Sequence, residues 1–368
     1  MQSSDMSSRT FRSQDAVRLI DENTYADTML NTVRPALASC REEGRFDPSE
    51  AERAAGLEPI GGTLHYLAYD AAKFDTEREQ GATATFRGCI VISHGFTEFA
   101  EKYDELVWYF LLAGYSVCVL DHRGHGKSAR DVDSRCLVWI DDWRRYVADF
   151  AGFASSVGQR YANGQPLNLF CHSMGGGIGA AVLEQYPTLF DKAVLSAPMI
   201  APQTGMPLWL ARALAGVFCG IGLGRKGVFG QVDFDPDAPI DMSLYKDSSE
   251  ARERWYHRLR CETVEYQTYR AAFEWVRQAL KLSRAVLDPS ACADIVTPML
   301  LFQAGRDIWV LNEPQNLFVR RVQDGGGTAK LVRIDESAHE IFSMPNEVYQ
   351  PYLERILAFY DTPLLGGE

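Results

Sequence analysis

The sequence lacks three features: closely paired cysteines, an apolar run of membrane-spanning length and an excess of positive charge. None of its eight cysteines belongs to a Cys-x-x-Cys pair, which argues against a zinc site or a disulfide framework and favours reduced thiols. The apolar stretch that comes closest to membrane length, residues 206–224, carries Arg212 near its middle. The N-terminal residues also lack the apolar core of a secretory signal. We therefore expect a soluble, cytoplasmic protein.

Acidic residues outnumber basic ones by 49 to 37, which gives a net charge of −12. Such a chain is not attracted to nucleic acid or to anionic lipid head groups, so any contact with a membrane has to be apolar. The composition, 46% hydrophobic and 23% charged, is that of an ordinary globular protein. We expect a small-molecule partner and no nucleic acid, and the sequence does not indicate an oligomeric state.

Short apolar runs rich in β-branched residues alternate with amphipathic helices along most of the chain. This alternation predicts an α/β fold with a mostly parallel sheet covered by helices on both faces. It stops at residues 200–288, where an apolar stretch, a Gly/Asp/Pro-rich linker and strongly helical sequence predict an inserted helical cap. In that region five apolar residues repeat at the spacing of one helical face: Tyr266, Tyr269, Phe273, Val276 and Leu280.

The predicted division of the chain has four parts. Residues 1–24 form a flexible lead, and residues 25–199 form the first part of the core with an N-terminal helical extension. The cap follows at 200–288, and the second part of the core at 289–368.

A serine stands at a sharp bend in the segment LFCHSMGGG, residues 169–177. A strand–turn–helix of this kind holds the Oγ of Ser173 above the carboxyl edge of a sheet, where it can act as a nucleophile. Gly175 is the small residue needed where strand and helix approach, but Cys171 replaces the glycine usual two positions before the serine. Taken alone, the motif leaves open whether Ser173 is a nucleophile or an incidental serine in a glycine-rich turn.

A serine nucleophile needs a base to take its proton and a carboxylate to orient that base. His339 follows the last predicted strand, and Asp307 follows the first strand after the cap, so both are expected at the same sheet edge as Ser173. The order Ser, Asp, His is that of the α/β-hydrolases. Asp335 and Glu336 are rival carboxylates, but they lie on the same loop stem as His339, so we predict Asp307.

The oxyanion hole is predicted from two backbone amides. Met174 begins the helix after the serine, and Phe96 follows His94 and Gly95 in the loop after a predicted strand. A plain turn is the alternative interpretation of that loop. His122 and His125 suggest a metal, but no third ligand stands at a fitting spacing, so we predict neither a metal nor another cofactor.

These motifs together resemble the monoacylglycerol lipase and lysophospholipase branch of the α/β-hydrolase superfamily. The resemblance is carried by the stretches from HGFTEFAEKY to DHRGHGKS, by HSMGGGIGAAVLEQYP, by VLSAPM, by FEWVRQALKLSR and by SAHEIF. It implies an α/β-hydrolase fold with a cap, with Ser173, Asp307 and His339 as the triad and the amides of Phe96 and Met174 as the oxyanion hole. The N-terminal extension and the EWVRQ helix look more like bacterial lysophospholipases.

The leading hypothesis is a serine carboxylic-ester hydrolase that cleaves monoacyl lipids, either lysophospholipids or monoacylglycerols, through an acyl-enzyme. A general carboxylesterase or thioesterase and a ligand-binding pseudoenzyme are the alternatives. Each buried methylene of an acyl chain contributes about 0.8 kcal/mol, so an apolar cap wall would bind the chain. The predicted wall comprises Leu208, Trp209, Leu214 and Phe218. Two other roles stay open for this segment: packing the cap onto the sheet, or peripheral contact with the inner face of the membrane.

Overall fold

The computed structural model describes residues 17–74 and 85–363, so the first sixteen residues of the predicted lead lie outside it. Ten strands occur in this part of the chain: β1 (Arg41–Phe46), β2 (Leu64–Tyr69), β3 (Gly88–Ser93), β4 (Tyr115–Leu120), β5 (Leu137–Val138), β6 (Leu167–His172), β7 (Lys192–Ser196), β8 (Arg270–Ala271), β9 (Met299–Ala304) and β10 (Ala329–Ile334). Eight of them form one sheet in the order β1-β2-β4-β3-β6-β7-β9-β10. From β4 to β10 all neighbours are parallel, whereas β2 is antiparallel to both β1 and β4. The predicted mostly parallel sheet is confirmed.

Helices cover both faces of this sheet. In the described residues they are α1 (Tyr25–Thr28), α2 (Arg34–Cys40), α3 (Ser49–Ala54), α4 (Ala71–Phe74), α5 (Asp104–Leu112), α6 (Trp143–Phe153), α7 (Gln159–Ala162), α8 (Met174–Gln185), α9 (Leu208–Gly220), α10 (Glu250–Glu262), α11 (Phe273–Ala285), α12 (Pro289–Ala293), α13 (Asn312–Asp324) and α14 (Asn346–Asp361). Alternate side chains of β3 enter different cores: Cys89 and Val91 pack with α6 and α8, while Ile90 and Ile92 pack with α5 and α14. None of the described helices combines the length and the apolar character that crossing a bilayer requires.

The edge strand β1 was not predicted, because its sequence REEGRF has no apolar alternation. Its backbone pairs with β2, and its acidic side chains find partners on neighbouring elements. Glu42 accepts hydrogen bonds from the hydroxyls of Tyr66 and Tyr161. A Cβ at Gly44 would lie 2.3 Å from the ring of Tyr66, so glycine lets this ring lie across the strand. Charged edge strands of this kind also resist pairing with other chains.

The prediction of a loosely attached lead is wrong for residues 17–24. Val17 and Ile20 are buried, and the Ile20 amide donates to the Tyr109 hydroxyl at 2.8 Å. The carboxylate of Glu22 accepts from the Asn346 amide at 2.7 Å. The error arose because the polar composition of this segment hides the few apolar residues that anchor it.

The predicted helical face that runs from Tyr266 to Leu280 is also wrong in its first half. Tyr266 ends a short 3₁₀ turn, and α11 begins only at Phe273. Between them β8 pairs with β5, and the Ala272 amide donates to the carbonyl of Val138 at 2.9 Å. Because the amide of Ala272 bonds to a carbonyl of the neighbouring strand, it is not available for a hydrogen bond within a helix. Tertiary pairing thus overrides the helical spacing.

The cap region contains α9, α10 and α11, and α10 is firmly tied to the core. The guanidinium of Arg252 donates to both carboxylate oxygens of Glu105 on α5, at 2.8 and 2.9 Å, and to the carbonyl of Met344. Such paired bonds fix geometry as well as adding energy. α10 is therefore held by the core.

A buried carboxyl on α8 gives a stability prediction. Glu184 is 7% exposed, and its Oε1 has no hydrogen-bond partner among residues 17–74 and 85–363. Burial, together with the charges of Asp288 and Asp294, raises the pKa of Glu184 from 4.5 to about 9. This carboxyl ionises in the unfolded chain at lower pH than in the folded one, so stability should fall as pH rises between these values.

Glu184→Gln should remove that fall and raise the free energy of unfolding at pH 8 by roughly 1–3 kcal/mol. Near pH 4 the variant and the wild type should have similar stability. Urea midpoints at pH 4.5, 6.5 and 8 measure the effect, with Glu50→Gln at an exposed site as the matched control. Parallel pH profiles for all three proteins would contradict the prediction.

Candidate active site

Ser173 lies at the bend between β6 and α8 and has a backbone conformation that residues other than glycine rarely adopt. Its φ is 51° and its ψ −119°. Such a conformation costs on the order of 1–3 kcal/mol and persists only when its surroundings hold it. Here the Ser173 amide donates to the carbonyl of Ser196, and the Ser173 carbonyl accepts from the Met199 amide at 2.7 Å. The hydroxyl is thus fixed at the carboxyl end of β6.

Small residues allow α8 to approach the sheet so closely. A Cβ at Gly175 would lie 2.1 Å from the carbonyl oxygen of Ser93, which excludes any side chain there. A Cβ at Gly179 would lie 2.3 Å from the Sγ of Cys171. The thiol at the position usually held by glycine therefore occupies space that Gly179 leaves empty one turn into the helix. Burial raises the pKa of Cys171, so the thiol is neutral.

Of the three side chains predicted as a triad, His339 lies within hydrogen-bond distance of both others. The Nε2 of His339 is 2.8 Å from the Oγ of Ser173, and its Nδ1 is 2.7 Å from the Oδ2 of Asp307. Ser173 and His339 are each 9% exposed. The rival Asp335 pairs instead with Arg333 on the surface. Ser173, Asp307 and His339 follow the strands β6, β9 and β10, respectively. The carboxyl ends of these strands lie at the same edge of the sheet.

Asp307 is held as a carboxylate. Its side chain is fully buried, and this burial raises its pKa, whereas the contact with His339 lowers it. The amides of Trp309 and Val310 also donate to its Oδ1, at 2.8 and 3.0 Å, so the net effect is a lowered pKa. A carboxylate on Nδ1 favours the His339 tautomer with its proton there, which leaves Nε2 free to accept the proton of Ser173.

The loop that carries Phe96 is pinned by two buried side chains. The Nδ1 of His94 donates to the Gly95 carbonyl at 2.7 Å, and its Nε2 accepts from the His122 amide at 2.9 Å. The Oε2 of Glu98 accepts from the Gly95 amide at 2.6 Å. Burial lowers the pKa of His94, so its imidazole is neutral and holds the backbone. The Phe96 amide belongs to the peptide whose carbonyl His94 binds.

Met174 is the first residue of α8, and the first amides of a helix have no partner within it. Oxyanion-hole roles for the amides of Met174 and Phe96 remain predictions. Sequence reasoning missed Glu98, although a carboxyl three residues after a turn glycine is the signal that could have found it.

Among the described residues, one group of three side chains could provide metal ligands: Glu98, His172 and Glu340. Their possible ligand atoms all lie within 4.8 Å of one another. The ammonium of Lys102, however, lies 2.8 Å from Glu98 and 2.7 Å from Glu340. A cationic side chain therefore satisfies the two carboxylates that a metal ion would need.

The four residues of the predicted acyl wall do not line one enclosed surface. Phe218 packs against Phe273 of α11, with ring centroids 4.6 Å apart, and Leu208 is half-buried. Trp209 is 68% exposed and Leu214 38% exposed. α9 buries Ala211 and Ala215 and presents its other side to solvent.

The exposed side of α9 carries large apolar side chains together with Arg212. We call it the apolar cap face and define it by four residues with exposed fractions between 38% and 68%: Trp209, Leu214, Val217 and Ile221. Ile308 and Trp309 are equally exposed and directly follow Asp307. The Trp309 carbonyl accepts from the amide of Gln203, in the segment that leads into α9. Ile308 and Trp309 are thus exposed apolar residues beside Asp307, and this hydrogen bond links them to the segment that precedes α9.

Comparison with known proteins agrees with this geometry. The family described as serine aminopeptidase, S33 (Hydrolase_4) matches residues 84–346, more than half of the chain. Lysophospholipase L2 of Escherichia coli K12 is 27% identical over 284 residues, which cover 74% of this chain and 80% of that protein. Monoacylglycerol lipase of Mycolicibacterium smegmatis is 34% identical over 147 residues, or 40% of this chain and 47% of that protein.

Solved structures share the fold at low sequence identity. A soluble variant of monoglyceride lipase from Saccharomyces cerevisiae, in complex with a substrate analog, aligns with a TM-score of 0.61 at 19% identity. The alignment covers 83% of this chain and 93% of that one. A carboxyl esterase from Bacillus coagulans aligns with a TM-score of 0.65 at 15% identity, covering 87% and 97%. The resemblance inferred from the motifs is confirmed: the chain belongs to the Hydrolase_4 family of serine hydrolases with the α/β-hydrolase fold.

Proposed function

We propose that the protein removes the acyl chain from monoacyl lipids by ester hydrolysis through an acyl-enzyme on Ser173. The observation that carries the proposal is the hydrogen-bonded line from Ser173 through His339 to Asp307. The family description refers to an aminopeptidase, and the same triad can cleave amides. We favour lipid esters because of the apolar cap face and because the two curated relatives are named lysophospholipase and monoacylglycerol lipase.

Acylation begins when the Oγ of Ser173 attacks the carbonyl carbon of the ester. The Nε2 of His339 takes the hydroxyl proton, and Asp307 stabilises the imidazolium that forms. The charge on the carbonyl oxygen is met by the amides of Phe96 and Met174, and one such donor typically contributes about 10²–10³ in rate. His339 then gives its proton to the departing alcohol oxygen, which leaves the acyl group on Ser173.

Deacylation repeats these steps with water. His339 takes a proton from the water that attacks the acyl carbonyl, and the second oxyanion forms at the same two amides. When this intermediate collapses, the proton returns to Ser173 and the fatty acid is released. The base therefore acts twice, and it requires the same Asp307 contact each time.

The apolar cap face supports peripheral contact with a membrane. Exposed apolar patches of this kind on a monomer mark interaction sites, and single-chain lipids partition into bilayers. A net charge of −12 gives no electrostatic attraction to anionic lipid, so the contact rests on apolar burial. Ile308 and Trp309 add exposed apolar surface next to Asp307. We propose that the face lies against the membrane surface.

Ser173→Ala should lower kcat for p-nitrophenyl butyrate and for lysophosphatidylcholine by at least about 10⁴-fold. The melting temperature should stay within a few degrees, because alanine removes only the hydroxyl at this position. Initial rates together with thermal melts measure both effects, and Ser155→Ala on the surface is the matched control. Substantial turnover in the folded Ser173→Ala protein would refute the nucleophile.

Replacing Trp209 and Val217 by serine should weaken binding to phosphatidylcholine vesicles by about 10-fold or more, since burial of each large apolar side chain contributes about 1.5–3 kcal/mol. Hydrolysis of monoolein presented in those vesicles should fall, while hydrolysis of soluble p-nitrophenyl butyrate should not change. Leu244→Ser, at a site 69% exposed away from the apolar cap face, is the control. Equal vesicle binding by the wild type, the double variant and Leu244→Ser would contradict the proposed membrane contact. It would favour a general esterase for small soluble compounds.

A further inference from the structure

Lys102 is a buried lysine beside the triad that the reaction steps do not use. It lies in the 3₁₀ turn Ala100–Tyr103 before α5, and its side chain is only 3% exposed. Its ammonium contacts three segments of the chain: Glu98 in the loop after β3, Glu340 beside His339, and the ring of Tyr256 on α10, whose centroid is 4.1 Å away. Burying a lysine is costly unless it is paired, so this arrangement calls for an explanation.

The first contact reaches the proposed oxyanion hole. Lys102 binds the Oε1 of Glu98 at 2.8 Å, while the Oε2 of the same carboxylate accepts from the Gly95 amide and the Tyr103 hydroxyl, each at 2.6 Å. The position of this carboxylate therefore fixes the amide of Gly95, one residue before Phe96. Lys102 is therefore linked to the Gly95 amide through one intervening side chain, that of Glu98.

The second contact reaches the loop of the base. Lys102 lies 2.7 Å from the Oε1 of Glu340, which directly follows His339. The Oε2 of Glu340 accepts from the hydroxyl of Ser343, so this carboxylate also closes the turn after His339. One ammonium thus joins the loop that carries an oxyanion donor to the loop that carries the base.

Charge explains why the link needs a cation. Glu98 and Glu340 both point at Lys102. Burial, together with the charge of Glu340, raises the pKa of the nearby Glu253 of α10 to about 8, so this carboxyl stays protonated at neutral pH and Lys102 pairs with the carboxylates of Glu98 and Glu340. The imidazole of His172 lies 3.5 Å from the Oε1 of Glu98, and its ring centroid is 4.9 Å from that of His339. Burial lowers the pKa of Lys102, but the carboxylates of Glu340 and Glu98 raise it further, so the ammonium stays charged. Without it, the buried carboxylate of Glu98 and the partly buried carboxylate of Glu340 would face each other next to the triad with no cation between them.

We propose that Lys102 is a positioning residue that holds the oxyanion loop and the histidine loop in register by bridging Glu98 and Glu340. The inference rests on the proposed function, since it assumes that Phe96 and His339 act in one reaction. A misplacement of about 1 Å between reacting groups can lower a rate by about 10²-fold. Loss of the bridge should therefore affect the chemical step more than substrate binding.

The test compares Lys102→Met, Lys102→Arg and Glu340→Gln with the wild type on p-nitrophenyl butyrate at a temperature where all are folded. Lys102→Met and Glu340→Gln should each lower kcat by about 10- to 100-fold and change KM by less than about 3-fold. Lys102→Arg should recover kcat to within about 5-fold, because a guanidinium also bridges two carboxylates. In the double variant the two losses should combine less than multiplicatively, because both remove the same bridge.

Arg145→Met is the matched control, since Arg145 is a similarly buried cation that binds Glu52 and Asp141 away from the triad. It should lower the melting temperature while its kcat per folded molecule stays at the wild-type value. If Lys102→Met does not fold, Glu340→Gln and Lys102→Arg decide alone. Wild-type kcat in a folded Glu340→Gln or Lys102→Met protein would overturn the proposal, whereas turnover by Ser173→Ala would overturn the proposed function instead.

Discussion

The hydrogen bond between His339 and Ser173 is the contact on which the rest of the molecule depends. It spans 2.8 Å in space and 166 positions in the sequence, so only the completed sheet can form it. Parallel strands make this possible because their carboxyl ends meet at one edge, and β6, β9 and β10 each deliver one member of the triad there. The positive φ of Ser173 adds a local cost that the bonds of Ser196 and Met199 offset.

Around that line, the structure divides the cap into a fixed and an exposed part. α10 is tied to the core through Arg252 and Glu105, and it packs Tyr256 over the buried Lys102. α9 instead buries a narrow face of alanines and leaves Trp209, Leu214 and Val217 exposed. The exposed apolar residues of α9 are the part of the cap on which the proposed contact with a membrane rests.

The sequence was sufficient to predict that Ser173, Asp307 and His339 come together, because each lies in the loop after a strand with a clear apolar pattern. The parallel sheet could be predicted for the same reason. The edge strand β1 could not, because its residues Arg41–Phe46 are charged and form a strand only by pairing with β2. The Glu98, Lys102 and Glu340 cluster also escaped prediction, since its members become neighbours only when the loops after β3 and β10 converge. The space that Gly179 leaves for the thiol of Cys171 could not be predicted either, because it depends on how α8 crosses the sheet.

The proposed reaction depends on the activated hydroxyl of Ser173, and covalent labelling tests this activation most directly. A fluorophosphonate reacts with a serine only where a base and an oxyanion site activate it. Peptide mapping by mass spectrometry should find one adduct, on Ser173, and His339→Gln should slow its formation by orders of magnitude. An adduct on a different residue, or equally fast labelling without the imidazole of His339, would contradict the account.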